Sequence, residues 1–230
     1  MGFNARYRMW NRENWQGYAP TIHAMQRRGW SLTLTCRSCR LEIAADAEAS
    51  ALFEEIARLT LEEPDRDWSR FDAMVRFLLA TACRRGEALR VHAGHFETRT
   101  VGCKPATFVQ FERYTTKSKK PRVVPITPEI VGLLPVLKLK AGNGALFPFR
   151  PSQLFRMWRT VRRRMTERGY DFSLVRFHTM RHTTLTRAMR KYPLAMVSRL
   201  AGHASIQITA DRYGHIAADD LVDMVGDIAA

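Results

Sequence analysis

HTMRH at residues 178–182 and LAGHASIQITADRYGH at residues 200–215 are the stretches on which the reading of this chain turns. His178 and Arg181 lie three residues apart, so on a helix they share one face about one turn apart. A second histidine, His203, follows Gly202, and Tyr213 stands ten residues further on. An arginine, two histidines and a tyrosine can converge on a single phosphate, and such a set is unusual for a core. Phosphoryl transfer without metal needs cations on the non-bridging oxygens, a proton donor for the departing oxygen and an activated nucleophile, because positioning and electrostatics carry most of the rate. Arginine, histidine and tyrosine supply these roles.

Working upstream, two more stretches complete the chemistry: TACRRGEAL at residues 81–89 and TKSKKPRVVPIT at residues 116–127. With them the chain resembles the tyrosine recombinases, or phage-type integrases. That family carries an arginine in a T-G-x-R-x-x-E box, a lysine in a β-hairpin eight residues before a proline, an H-x-x-R box, a G-H pair and a tyrosine. The resemblance implies Arg84 as the first arginine with Glu87 orienting it, Lys117 eight residues before Pro125, then His178, Arg181, His203 and the nucleophile Tyr213. Any one box recurs by chance in basic proteins; five in order are specific. The resemblance covers residues 45–230. It departs at Ala82, where glycine is common, and at Arg85-Gly86, where an apolar-small pair is usual. It also departs before residue 45, where family members carry a longer helical core-binding domain.

What the resemblance implies is a site-specific DNA recombinase that breaks and rejoins strands through a 3′-phosphotyrosyl intermediate, with no metal, ATP or other cofactor. A type IB topoisomerase uses a similar residue set, and a decayed integrase that only binds DNA is the alternative from another class. The partners implied are double-stranded DNA and further copies of the chain, assembling as a tetramer on it, with an accessory protein as an additional candidate.

The charge agrees with a polyanionic partner. The 230 residues hold 37 Lys and Arg against 22 Asp and Glu, a net +15, and the excess is concentrated. Residues 42–67 carry nine acids and two basic residues, whereas residues 150–199 carry 13 Arg or Lys against Glu167 and Asp171. A phosphate-tracking face is the reading this favours over an ordinary basic surface. The start, MGFNARYRMW, has no apolar signal core, and no run approaches the length of a membrane span, so the expectation is a cytoplasmic protein associated with bacterial nucleoid DNA, with reduced cysteines.

The fold class expected is α+β: a mainly helical catalytic domain with a small antiparallel sheet or hairpin, and residues 1–44 as a separate small region. WSLTLTC at residues 30–36 alternates as a strand does, with a return through Leu41 and Ile43. Cys36 and Cys39 at the tip are half of a zinc knuckle with His23 as a third candidate ligand; a structural site needs four, and the favoured reading is two inert small residues. Leu52, Ile56 and Leu59 mark an acidic helix ending at Pro64, and Phe71 to Ala82 mark a buried helix that delivers Arg84 at its C-terminal end. Phe108–Thr116 and Arg122–Ile126 read as two strands around a basic tip, with Lys117 catalytic and Lys119, Lys120 and Arg122 on the DNA backbone. Leu154, Trp158, Val161 and Met165 form the inner side of a later helix, whose outer Arg156, Arg159, Arg163 and Arg164 are read as phosphate contacts. After Tyr213, Leu221, Val225 and Ile228 make an apolar stripe among four aspartates, suited to packing on its own domain or on a neighbouring copy.

Overall fold

The computed structural model describes residues 46–112, 121–203, 205 and 209. The hairpin expected around Cys36 and Cys39, the tip expected at Lys117, Lys119 and Lys120, and the segment with Tyr213 and the apolar tail lie outside the described residues.

Helix α1 (Asp46–Glu62) buries Leu52, Ile56 and Leu59 and stops before Pro64, as the spacing predicts. Helix α2 (Trp68–Thr81) is capped by Asp67, whose side chain accepts from the Arg70 backbone N–H at 3.0 Å. It buries Trp68, Phe71, Met74, Val75, Phe77 and Leu78, so both flanks of this helix are enclosed. It is the hub of the molecule, packing against α1, α4 (Pro128–Ala141) and α6 (Phe177–Met189), while α1 also meets α5 (Pro151–Glu167). An aromatic cluster fills the centre: Phe71 meets Trp68 edge-on at 5.3 Å and Phe177 at 6.1 Å, and Trp158 lies 4.8 Å from Phe177. The buried Trp158 indole finds its partner in the Val175 carbonyl at 3.0 Å, which removes the cost of an unpaired N–H.

Two features differ from the sequence expectations. The sheet has three antiparallel strands in the order β1-β2-β3: β1 (Phe96–Val101), β2 (Lys104–Phe111) and β3 (Arg122–Pro125). Pairing runs from Phe96↔Val109 to Val101↔Lys104, and Phe111 lies opposite Arg122. β1 escaped the sequence reading because Glu97 to Val101 are all exposed, so no buried face imposes an alternation. Arg84 is not at the C-terminal end of α2. The helix stops at Thr81, Ala82 turns left-handed (φ 51°, ψ 22°), and Arg84 is extended ahead of the single turn α3 (Arg85–Ala88).

The last described helix, α7 (Leu194–Ala201), ends in Gly202 at φ 63°, a conformation that favours glycine. No helix among the described residues is long and apolar enough to cross a membrane.

Candidate functional site

The first box is built on the break between α2 and α3. Glu87, in the single turn of α3, reaches back so that its Oε2 accepts from the Arg84 backbone N–H at 2.7 Å and its Oε1 from Arg84 Nη1 at 3.2 Å. One carboxylate thus fixes both the main chain and the guanidinium of Arg84. Glu87 is only 2% exposed, and a buried carboxylate needs matched charge. Arg122 supplies it, donating from Nη1 and Nη2 at 3.1 and 2.7 Å. Burial pushes the Glu87 carboxyl up, but the hydrogen bonds and charge of Arg122, with those of Arg84, outweigh it and hold the group below the ordinary carboxylate value.

This corrects the expectation for Arg122. Instead of lying on the DNA-facing tip, its side chain is 8% exposed, paired to Glu87 and covered by the Phe111 ring 4.4 Å from the guanidinium carbon. With its charge already matched inside the fold, it is not a surface phosphate contact.

Helix α6 brings in the H-x-x-R box. His178 is exposed near its N-terminal end, whereas Arg181 is 2% exposed and points into the seam between helices. Arg181 Nη1 donates to the Ala82 carbonyl and Nη2 to the Ala201 carbonyl, both at 2.6 Å, so one side chain ties the end of α2 to the end of α7. Its Nη2 also lies 3.1 Å from His203 Nε2. A guanidinium only donates, so Nε2 accepts; the imidazole proton then sits on Nδ1 and is donated to Thr209 Oγ1 at 2.7 Å. His182 is buried and meets the His178 ring edge-on at 4.4 Å, standing behind it. Burial pushes the Cys83 thiol up to about 12, leaving it an inert neutral group between the boxes.

Arg84 and His178 open onto one groove of about 740 Å³. Its walls are Arg84 and Arg85 from the first box, Arg156, Arg159 and Arg162 from α5, and Arg176 and His178 from the start of α6, with Trp158 and Phe177 lining it as well and no carboxylate among the lining residues. The N-terminal end of α6 adds its own partial positive charge. Such a groove can hold several phosphate oxygens of one polyanion at once.

The four α5 arginines chosen from sequence therefore divide. Arg156 and Arg159 line the groove, but Arg163 pairs with Glu167 at 3.7 Å, and Arg164 is bonded to Glu62 and lies 3.9 Å from Glu55. Three lining arginines were missed. Arg162 sits one turn beyond Arg159 on the same face, and Arg85 and Arg176 adjoin box residues, which is the signal that would have found them. Among the described residues, no group of three or more His, Cys, Asp or Glu side chains is arranged to hold a metal ion.

Residues 47–219 match the phage integrase family. A Haemophilus influenzae protein assigned as an integrase/recombinase is 29% identical over 148 residues, covering 63% of this chain and 44% of that protein. The chain thus spans less than half the length of that curated relative. The fold is shared with the Tn1549 transposon integrase, solved in complex with transposon right-end DNA, at 15% identity and a TM-score of 0.57, covering 81% of this chain and 65% of that one. It is shared also with the XerH site-specific recombinase bound to difH substrate (18% identity, TM-score 0.57, 85% and 56% covered) and with XerA recombinase (21%, TM-score 0.56, 90% and 72% covered). The matched span takes in every box from Arg84 to Tyr213, and the chain belongs to the phage integrase family.

Proposed function

We propose that this protein is a tyrosine site-specific recombinase that exchanges strands of double-stranded DNA. The observation that carries the reading is the groove in which Arg84 and His178, from two boxes far apart in sequence, share an acid-free wall with five further arginines. Residues 45–230 are the catalytic domain in this reading, with residues 1–44 an appended small region. The protein acts in the cytoplasm on DNA of the nucleoid.

In the proposed reaction the Tyr213 oxygen attacks a backbone phosphorus, its phenolic proton passing to His178. The bond from phosphorus to the 5′-oxygen breaks, and Lys117 gives that oxygen a proton. The products are a 3′-phosphotyrosyl bond and a free 5′-hydroxyl, and a 5′-hydroxyl of a second duplex reverses the step. The phosphodiester energy is kept in the tyrosyl bond, so the transfer itself consumes no ATP. A phenol with a reference pKa near 10 costs roughly 4 kcal/mol to ionise at pH 7, and cations at the phosphate, together with the base, lower that cost. Arg84 takes the non-bridging oxygens from the groove, and Arg181, whose Nη1 and Nη2 hold the Ala82 and Ala201 carbonyls without substrate, joins it only by releasing one of them. His203 hydrogen-bonds the phosphate as well; since its Nε2 accepts from Arg181 without substrate, donation there requires a proton on Nε2. Lys119, Lys120, Arg156 and Arg159 grip the flanking backbone.

A second groove, of about 1180 Å³ between the sheet and α7, supports an oligomer on DNA. Tyr192, Met196, Val123 and Leu200 give it an apolar surface, and Arg99 and Arg199 stand at it as cations. The tail, with Leu221, Val225 and Ile228 spaced on one helical stripe among Asp219, Asp220, Asp223 and Asp227, is complementary to it in both respects, and we infer that it docks there on a neighbouring copy.

The test is covalent capture. Wild type and Tyr213→Phe are incubated with a library of nicked random-sequence duplexes and stopped with denaturant. Wild type should yield a protein–DNA adduct; the variant should bind with equal affinity and yield none. An adduct that persists in Tyr213→Phe, or its absence from wild type despite salt-sensitive binding, overturns the reading.

A further inference from the structure

Arg122 is not one of the catalytic positions of the boxes and does not line the arginine groove, yet the first box and the G-H pair meet at it. Its guanidinium holds both Glu87 oxygens, at 3.1 and 2.7 Å, and Glu87 in turn holds Arg84. Its stem lies against the glycine that precedes His203: a Cβ at Gly202 would stand 2.9 Å from Arg122 Cδ and 3.0 Å from Nη1. Glycine is therefore required at 202 by the approach of Arg122 as well as by the positive φ. Arg122 also opens β3, five residues after Lys117 in sequence. Phe111 seals it from above at 4.4 Å.

We propose that Arg122 is a positioning residue for strand transfer, which sets Arg84 and His203 in register through its two-pronged pair with Glu87 and its packing against Gly202. The proposal rests on the recombinase reading. An ion pair that merely stabilises the fold would leave the chemistry of the remaining molecules unaltered; a positioning residue changes the protonation of Glu87 and the placement of His203 in molecules that are still folded.

The charged and titratable groups around Glu87 are Arg84 on its own segment, Arg122 from β3 and the Cys83 thiol, which in turn feels Arg181 from α6. In the wild type, burial raises the Glu87 carboxyl and the two arginines lower it further, so the group stays ionised until the pH falls below its ordinary value of 4.5. Without Arg122 the burial remains and its strongest opponent is gone. The carboxyl moves up, and as the pH falls Glu87 takes a proton earlier and loosens its hold on Arg84. The acid limb of the cleavage rate, which already requires a neutral His178 base, then gains the protonation of Glu87 and shifts to higher pH. DNA affinity is spared, because the Arg122 charge is buried and matched before DNA arrives.

The experiment compares wild type, Arg122→Gln and Arg122→Lys, with thermal unfolding to select conditions in which each is folded. Adduct formation on the nicked random-sequence library should fall about 10²-fold in Arg122→Gln, the order expected for a misplacement of about 1 Å, with DNA affinity unchanged and the acid limb moved upward. Arg122→Lys, which keeps the charge but loses the fork, should restore the limb and recover only part of the rate. A parallel arm needs no catalysis: carbon-13 titration of the Glu87 carboxyl, assigned with Glu87→Gln, and the His203 ring resonances. An upward titration with displaced His203 signals in Arg122→Gln upholds the placement of both groups by Arg122; if wild type nevertheless forms no adduct, the recombinase reading falls and the role in strand transfer falls with it. Unmoved Glu87 and His203 signals, or a rate loss matched by an equal loss of DNA affinity with the limb in place, overturn it.

Discussion

Ala82 is the one residue with a side chain that adopts a left-handed backbone among the described residues. That conformation costs about 1–2 kcal/mol outside glycine. Opposing it, the buried methyl packs with Leu185, Val197 and Ala201, worth about 0.8 kcal/mol, and alanine has less unfolded-chain entropy to lose than glycine, worth roughly 0.5–1 kcal/mol. The terms nearly cancel, so Ala82→Gly should leave the urea unfolding midpoint close to that of wild type. Ala82→Val should destabilise by about 2–3 kcal/mol, since a β-branched residue is poorly tolerated at positive φ and the site is closed. The departure from the family glycine is thus a near-neutral exchange. Motif spacing made Arg84, Glu87, His178 and Arg181 legible, but a motif gives identity and not direction: His178 faces solvent while Arg181, one turn on, is buried. Arg122 was misread because a cation beside Lys119 and Lys120 looks like surface. Its period-two relation to Val124 and Ile126, both buried, was the available signal that it points inward.

Among the elements, α5 shows most clearly how sequence and neighbours share the decision. Its apolar stripe, Leu154, Trp158, Val161 and Met165, was readable because a 3.6-residue period defines an inner face, and the structure adds Met157 to it. The fate of its outer arginines was not, since that depends on which element lies alongside. The N-terminal half faces the groove, whereas the C-terminal end meets acidic α1, where Arg164 engages Glu62 and Arg168 bonds Glu54 and Glu55, each at 3.2 Å. Two arginines five residues apart should therefore respond in opposite ways. Arg159→Ala should weaken DNA binding and reduce the salt slope by about one, with stability unchanged. Arg164→Ala should leave DNA affinity unaltered and lower stability by about 1 kcal/mol, by loosening α1 from α5. Titration of each variant against fluorescent duplex at several salt concentrations, beside urea unfolding, separates the two.

For the molecule as a whole, charge and architecture divide the same way. The acidic segment folds as α1 and is spent on the arginines at the far end of α5, leaving the six groove arginines without acidic neighbours in the lining. If each contacts a phosphate, affinity should fall about 10³-fold between 50 and 200 mM salt, which an electrophoretic or anisotropy titration reads directly. The α+β class and the long helices were legible in the sequence because their periods are long and strongly buried. Strand β1 was not, being exposed, and α4 was passed over with Pro135 in its middle. One bond carries a further consequence for synthesis. Arg181 reaches the Ala82 carbonyl across 99 residues of chain, and Phe177 of the same helix lines the groove. On a ribosome the first box emerges well before α6 exists, so the two halves of the site cannot meet until nearly all of the catalytic region has left the exit tunnel. A chain interrupted earlier carries many of the cations yet cannot gather them, so a truncated product lacks the assembled groove.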